Sequence, residues 1–104
     1  MPLDDLINKY VPMTETAFLI LSSLQEPKHG YLIMAYTKKV THNRIVLANG
    51  TLYGTLSRME RDKLVTVQED NQRKIYHLTE LGNTILKIEC RRIQELSHLI
   101  EEGR

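Results

Sequence analysis

Cysteine is nearly missing from this chain: Cys90 is the only one in 104 residues. No internal disulfide can form, so the sequence predicts a reducing compartment, the cytoplasm, with Cys90 a buried structural thiol rather than a bridge between copies. Tryptophan is absent, and one Phe and five Tyr supply the aromatic surface, which rules out a pair of stacked indoles as a ligand platform. Long hydrophobic runs are absent too. The longest, Ala17 to Leu21, falls far short of the roughly 20 residues that span a bilayer, so no membrane association is expected. The opening Met-Pro-Leu-Asp-Asp-Leu lacks the basic and apolar segments of a secretion signal. Three Pro and five Gly are too few for linkers, and no repeat or low-complexity tract appears. No paired acids, Ser/His/Asp set or Gly-rich phosphate loop stands out, and His29, His42, His77 and His98 lack metal-ligand spacing with one another or with Cys90. The chain therefore reads as a non-enzyme, with no catalytic residue, metal or cofactor.

What is there is an uneven distribution of charge. The net value of +1 conceals a balance of −3 over Met1–Pro27, +5 over Lys28–Lys63 and −1 over Leu64–Arg104. The excess of Lys28, Lys38, Lys39, Arg44, Arg58, Arg61 and Lys63 over Glu60 and Asp62 marks the middle third as a surface for a polyanion.

Hydrophobic spacing supplies the elements. Leu3, Leu6, Ile7 and Tyr10 repeat at helical intervals, with Asp4 and Asp5 at the favourable N-terminal end and Pro12 stopping the run. Thr14 is placed to cap a second helix, whose Ala-Phe-Leu-Ile-Leu run is apolar nearly all round, as suits the centre of a core. A third helix is predicted from His29 or Gly30 to about Val40, burying Leu32, Ile33, Tyr36 and Val40. Ile45–Leu47 reads as either a short strand or an extended connection. Asn49 is placed to cap a fourth helix reaching about Lys63. Leu64–Gln68 and Arg73–His77, rich in Val, Ile, Tyr and Thr, read as a hairpin turning through Asp70-Asn71-Gln72. Thr79 opens a last helix with no breaker before Gly103.

On the fourth helix, Leu52, Leu56 and Met59 fall on one side. The other side collects Gly50, Gly54, Ser57, Arg58 and Arg61, with Thr51 and Tyr53 flanking. Two exposed glycines cost a helix about 1 kcal/mol each relative to Ala, and permit close backbone approach. A helix that enters the DNA major groove by its N-terminus needs small residues there, with hydroxyl and guanidinium groups behind them. Arg73 and Lys74, at the start of the second hairpin strand, are placed to meet phosphates or an adjacent minor groove. Lys28, His29, Lys38 and Lys39 admit phosphate contact or plain solvation, and the Arg73–Lys74 pair admits the role of edge-strand charges that deter aggregation. The architecture predicted is mainly α with a small β-hairpin wing: a winged helix-turn-helix over residues 1–78, then a dimerisation helix over 79–104.

His29-Gly30-Tyr31, Gly50-Thr51-Leu52-Tyr53 and Arg73-Lys74-x-Tyr76-x-Leu78-Thr79-x-x-Gly82 together resemble the motifs of the PadR family of bacterial transcription regulators, in a short form with one C-terminal helix. The resemblance implies that Tyr53 and its helix neighbours, with Tyr31 nearby, approach double-stranded DNA, that Arg73 and Lys74 touch its backbone, and that the last helix dimerises. Three departures stand out. Gly54 occupies the place of a usual Pro, Ala48-Asn49 replaces Ser-Pro, and Glu69-Asp70 replaces a Gly-rich, Arg-containing wing tip. The last argues against deep groove insertion and leaves phosphate contact to the base of the wing. The apolar stripe Ile85, Ile88, Ile93, Leu96, Leu99 and Ile100 exceeds what one small domain can cover. Its simplest burial is against a second copy, with Leu3, Leu6, Ile7 and Tyr10 of the first helix laid across it. The expected function is a dimeric repressor of a palindromic operator, relieved by a small hydrophobic effector at the dimer interface. Without Trp, Tyr10, Phe18 and the last-helix aliphatics would have to line any such pore, although core packing suits them better. The competing reading is a protein interaction module that keeps the winged-helix shape without DNA binding, and salt dependence separates the two.

Overall fold

In the computed structural model, which describes Met1–Glu101, both threonines placed before acidic first turns act as caps. Thr14 Oγ1 accepts the Ala17 amide at 3.1 Å and opens α2 (Glu15–Ser23). Thr79 Oγ1 accepts the Gly82 amide at 3.0 Å and opens α5 (Glu80–Glu101). Gly103, read as the end of that helix, lies outside the described residues. Ahead of α2 comes α1 (Leu3–Tyr10), and after it β1 (Lys28–His29), α3 (Gly30–Val40), α4 (Asn49–Arg61), β2 (Val65–Asp70) and β3 (Arg73–Leu78).

Because α2 is apolar nearly all round, it takes the centre. Ile20, Leu21 and Leu24 are buried against Ile33 of α3, Leu52, Leu56 and Met59 of α4, Val65 and Tyr76 of the sheet, and Ile85 and Leu86 of α5. The helical phase of α3 differs from the expectation. Gly30, Ile33 and Thr37 form its buried face, while Leu32 and Val40 are each 43% exposed and Tyr36 is half-buried. Thr37 tolerates burial because its hydroxyl donates to the Ile33 carbonyl at 3.0 Å. Ile45–Leu47 is an extended connection that anchors itself by burying Leu47.

The sheet has the order β1-β3-β2, antiparallel throughout. β1, unforeseen in the sequence, is two residues long and pairs Lys28 with Tyr76 and His29 with Ile75. The hairpin is longer than predicted and turns through Asn71 and Gln72 alone, at φ 51° and 67°. Two left-handed residues in a two-residue loop match the twist of the flanking strands.

Both α3 and α4 end in the same way. Asn43 N–H donates to the Lys38 carbonyl and His42 N–H to Lys39, and Leu64 N–H donates to Met59 and Lys63 N–H to Glu60. His42 and Lys63 take the left-handed conformation that closes such a Schellman motif. Gly82 then lets α5 cross the end of α4: a Cβ there would strike the Leu64 carbonyl and the Leu78 side chain.

The first turns of α5 belong to this core through Gly82, Ile85, Leu86 and Glu89. Farther on, Ile93, Leu96, Leu99 and Ile100 are 40, 51, 46 and 79% exposed. The Cα radius of gyration, 14.4 Å, exceeds the roughly 13 Å of a compact chain of this length, as a protruding helix requires. Three residues assigned to a subunit seam need correction. Leu6, Tyr10 and Ile85 are 2, 6 and 0% exposed within the single chain, because α1 and the start of α5 cover each other and the core, so they have no surface left to offer. Cys90 is likewise not the buried thiol expected. It is exposed, since Glu89 beside it takes the inward position on α5.

Candidate nucleic-acid interface

The first turn of α4, like those of α1 and α3, has no side-chain cap. Ala48 precedes it, and Asn49, expected to be the cap, is already helical. The leading amides of a helix are unpaired by construction and carry its positive dipole end, so this end favours an anion. Gly50 and Gly54 stand on the same exposed side, and a Cβ at either would meet nothing within 4 Å. Packing within the chain therefore does not require them, although each lowers helix stability.

Thr51, Tyr53, Gly54, Ser57, Arg58 and Arg61 are all exposed on this outer face. Arg61 lies ten residues beyond Thr51, about 15 Å along the axis. Residues of the first turns and of the last therefore cannot meet the same few base pairs, and Arg61 is spaced for a flanking phosphate.

Tyr53 has two sides. It is 44% exposed, yet its ring occupies the space a Cβ at Gly30 would need. That contact seats the start of α3 against the start of α4. A cleft between the two helices and the wing is lined by His29, Gly30, Tyr31, Leu32, Tyr53, Gln72, Arg73, Lys74 and Tyr76. It brings together five of the residues singled out from the sequence: His29, Tyr31, Tyr53, Arg73 and Lys74. Tyr31 is 72% exposed and stacks on His29 with ring centroids 6.3 Å apart. Burial pushes the Tyr76 phenol up, with Tyr53 and Glu60 adding to the effect, so it stays a neutral wall of the cleft. Lys38 and Lys39 lie apart from this cleft, in a second hollow shared with Tyr31, Met34, Ala35, Asn43, Val46 and Leu47.

Two cations of the basic middle third are engaged within the chain. Lys28 Nζ donates to the Ser23 carbonyl at 2.6 Å and lies 5.5 Å from the centre of the Tyr36 ring. Arg44 pairs with Glu15 at 2.5 Å, tying the α3–α4 connection to α2. That hydrogen bond holds the Glu15 carboxyl below its usual range. Arg73 and Lys74, expected to serve the base of the wing, stand instead at its tip, because β3 begins at the turn.

Sequence reasoning missed the polar anchors that set α4 and α5. Tyr10 Oη donates to Asp62 Oδ2 at 2.5 Å and Lys9 Nζ lies 2.7 Å from the same oxygen, fixing α1 on the end of α4. Burial opposes ionisation of Asp62, but the hydrogen bonds from Lys9 and Tyr10 outweigh it and hold the carboxyl below its usual range. Burial, reinforced by Asp62, pushes the Tyr10 phenol up. Glu89 is 1% exposed and accepts from Met13 N–H at 2.7 Å and from Arg92 at 2.5 and 3.0 Å. Hydrogen bonding from Arg92 wins over burial there and keeps Glu89 ionised. The available signal was an acid one turn after Ile85 on the apolar stripe, with an Arg three residues later.

Comparison with known proteins bears on the fold and the family. The chain is 33% identical over 91 residues, 86% of its length, to an uncharacterised 37.1 kDa protein in transposon TN4556 of Streptomyces fradiae, but spans only 26% of that protein. A transcriptional regulator from Clostridium thermocellum, Cth-833, superposes with a TM-score of 0.73 at 25% identity, covering 94% of this chain and 93% of that one. A PadR family transcription regulator from Clostridium difficile R20291 superposes with a TM-score of 0.72 at 28% identity, covering 86% and 98%. Residues 20–88, from the central helix through the winged hairpin to the anchored half of α5, match the model of the Transcriptional regulator PadR-like family, and the chain belongs to that family.

Proposed function

We propose that the protein is a cytoplasmic, sequence-specific repressor that binds a palindromic operator as a homodimer, with α4 in the major groove. The observation that carries this reading is the tip of α4: an uncapped N-terminus and two outward glycines that nothing in the chain calls for. Thr51, Tyr53, Ser57 and Arg58 are placed to meet base edges, and Arg61, Lys38, Lys39 and the wing cations to meet phosphates. The dimer would form along α5 from Ile93 to Ile100, the apolar face left exposed, with Leu3, Ile7 and Ile88 at its margin. Two copies joined there would present paired α4 helices to half-sites about one helical turn apart. A small hydrophobic effector lodged between the subunits would alter that spacing and release the operator.

Selection of bound sequences from a random duplex pool tests this directly. A two-fold symmetric consensus is expected, bound with an affinity that falls about 10³- to 10⁵-fold between 50 and 200 mM salt if 6 to 10 phosphates are engaged. No enrichment, together with a salt-insensitive interaction, would refute the reading.

A further inference from the structure

The wing tip carries as many acids as bases, Glu69 and Asp70 against Arg73 and Lys74. Antiparallel register sets Glu69 opposite Lys74 and Asp70 opposite Arg73, across the Asn71-Gln72 turn, with all four exposed. Directly opposite residues share a face of the sheet, and faces alternate along a strand. Glu69 and Lys74 therefore lie on the face of Val67 and the buried Tyr76, which is turned toward α4, and Asp70 and Arg73 on the other. Lys74 and Arg73 both line the cleft beside Tyr53. Cβ atoms of opposed residues are about 5 Å apart, well inside the roughly 10 Å screening length at 0.1 M salt. At phosphate distance, each acid cancels much of the field of the base across from it.

We propose that Glu69 and Asp70 act as an electrostatic attenuator, holding the wing tip near zero net charge so that it positions itself along the duplex while adding little sequence-independent grip. This rests on the DNA-binding reading given above. The feature is costly to the simplest design, because acids facing a polyanion oppose binding, and the tight hairpin does not need acids at those two positions to turn. A purely structural role, in which the cross-strand pairs hold the hairpin together, makes the opposite prediction: removing the acids would loosen the wing and weaken binding.

The test compares wild type with Glu69→Gln, Asp70→Asn and the double variant, alongside Asp5→Asn/Glu26→Gln as a charge-matched control away from the wing. Binding to a duplex of unrelated sequence is titrated from 50 to 300 mM salt. Each wing substitution should steepen the slope of log K against log salt by up to about 0.9, so that curves converging near 1 M salt separate by up to about eightfold at 0.1 M. The double variant should bind tighter than the control at every salt concentration below convergence, with circular dichroism and Tm showing that all variants are folded. Double-variant binding no tighter than the control, or weaker than wild type, overturns the proposal. If wild type holds no duplex even at 50 mM salt, the DNA-binding reading fails instead. The charge balance is then read by elution from immobilised heparin, where the double variant should leave after the control and an earlier or equal elution overturns it.

Discussion

Gly54 is where stability and DNA binding should pull apart. It occupies the interior of a 13-residue helix, on the solvent side, and a Cβ there would meet nothing within 4 Å. Gly54→Ala therefore introduces no clash and removes the helix penalty of about 1 kcal/mol. For a domain of this size that corresponds to a rise in Tm of about 4–8 °C, to be measured at fixed protein concentration, because self-association would itself shift Tm. If the glycine is there to bring the α4 backbone close to the groove, the added methyl must also push the helix outward or displace a contact. A single lost base or phosphate contact is worth about 1–3 kcal/mol, so affinity for the selected duplex should fall about 5- to 150-fold. The two measurements, thermal melting and fluorescence anisotropy on one preparation, give opposite signs if the reasoning is sound. A variant that melts higher and binds the duplex equally well or better would show that close approach at this turn plays no part.

Glu89→Gln should cost about 1–3 kcal/mol in denaturant unfolding at pH 7, less than the roughly 3–5 kcal/mol for breaking a fully buried pair, because Arg92 is 35% exposed and can turn to water. Glu89 and Asp62 are both held below the usual carboxylate range, so their contribution is complete above the unfolded values of about 4.3 for Glu and about 3.9 for Asp and is lost as pH falls through the folded ones. Wild-type stability should therefore decline below about pH 5, less steeply in Glu89→Gln, and an unchanged acid limb would contradict this. Gly82→Ala should destabilise by about 1–3 kcal/mol in spite of better helix propensity, since the obstructing Leu64 carbonyl is backbone; an unchanged Tm would refute the clash. Leu96→Glu should halve the mass seen by light scattering if α5 forms the subunit seam, and an unchanged mass would rule out that seam. Arg58→Ala should relax base preference in a repeated selection, whereas Lys39→Ala should weaken all duplexes alike and reduce the salt slope by about one.

Local signals in the sequence carried most of the architecture. Thr14 and Thr79 before acidic turns, the apolar spacing of Leu52, Leu56 and Met59, and the Val/Ile/Tyr-rich hairpin each depend on neighbours within a turn or a strand, which a single sequence displays. The features that escaped depend on partners far away in the chain. β1 exists because Tyr76 and Ile75 pair with it across 46 or more residues. Lys28 admitted phosphate contact or solvation from its sequence, and its contacts with the Ser23 carbonyl and the Tyr36 ring could not be read there. Leu6, Tyr10 and Ile85 sit on faces that helical periodicity marks as apolar, but periodicity cannot tell an intramolecular neighbour from a second copy, and the fold covers these three first. Glu89 inverts the usual rule that a charge on a helix is solvated, because the Met13 amide and Arg92 satisfy its oxygens inside the chain. The candidate interface was legible for a different reason. A residue needed only by an absent partner has no intramolecular reason to be what it is, and Gly50 and Gly54 stand out in a helical pattern because they violate local preference without any compensation inside the fold.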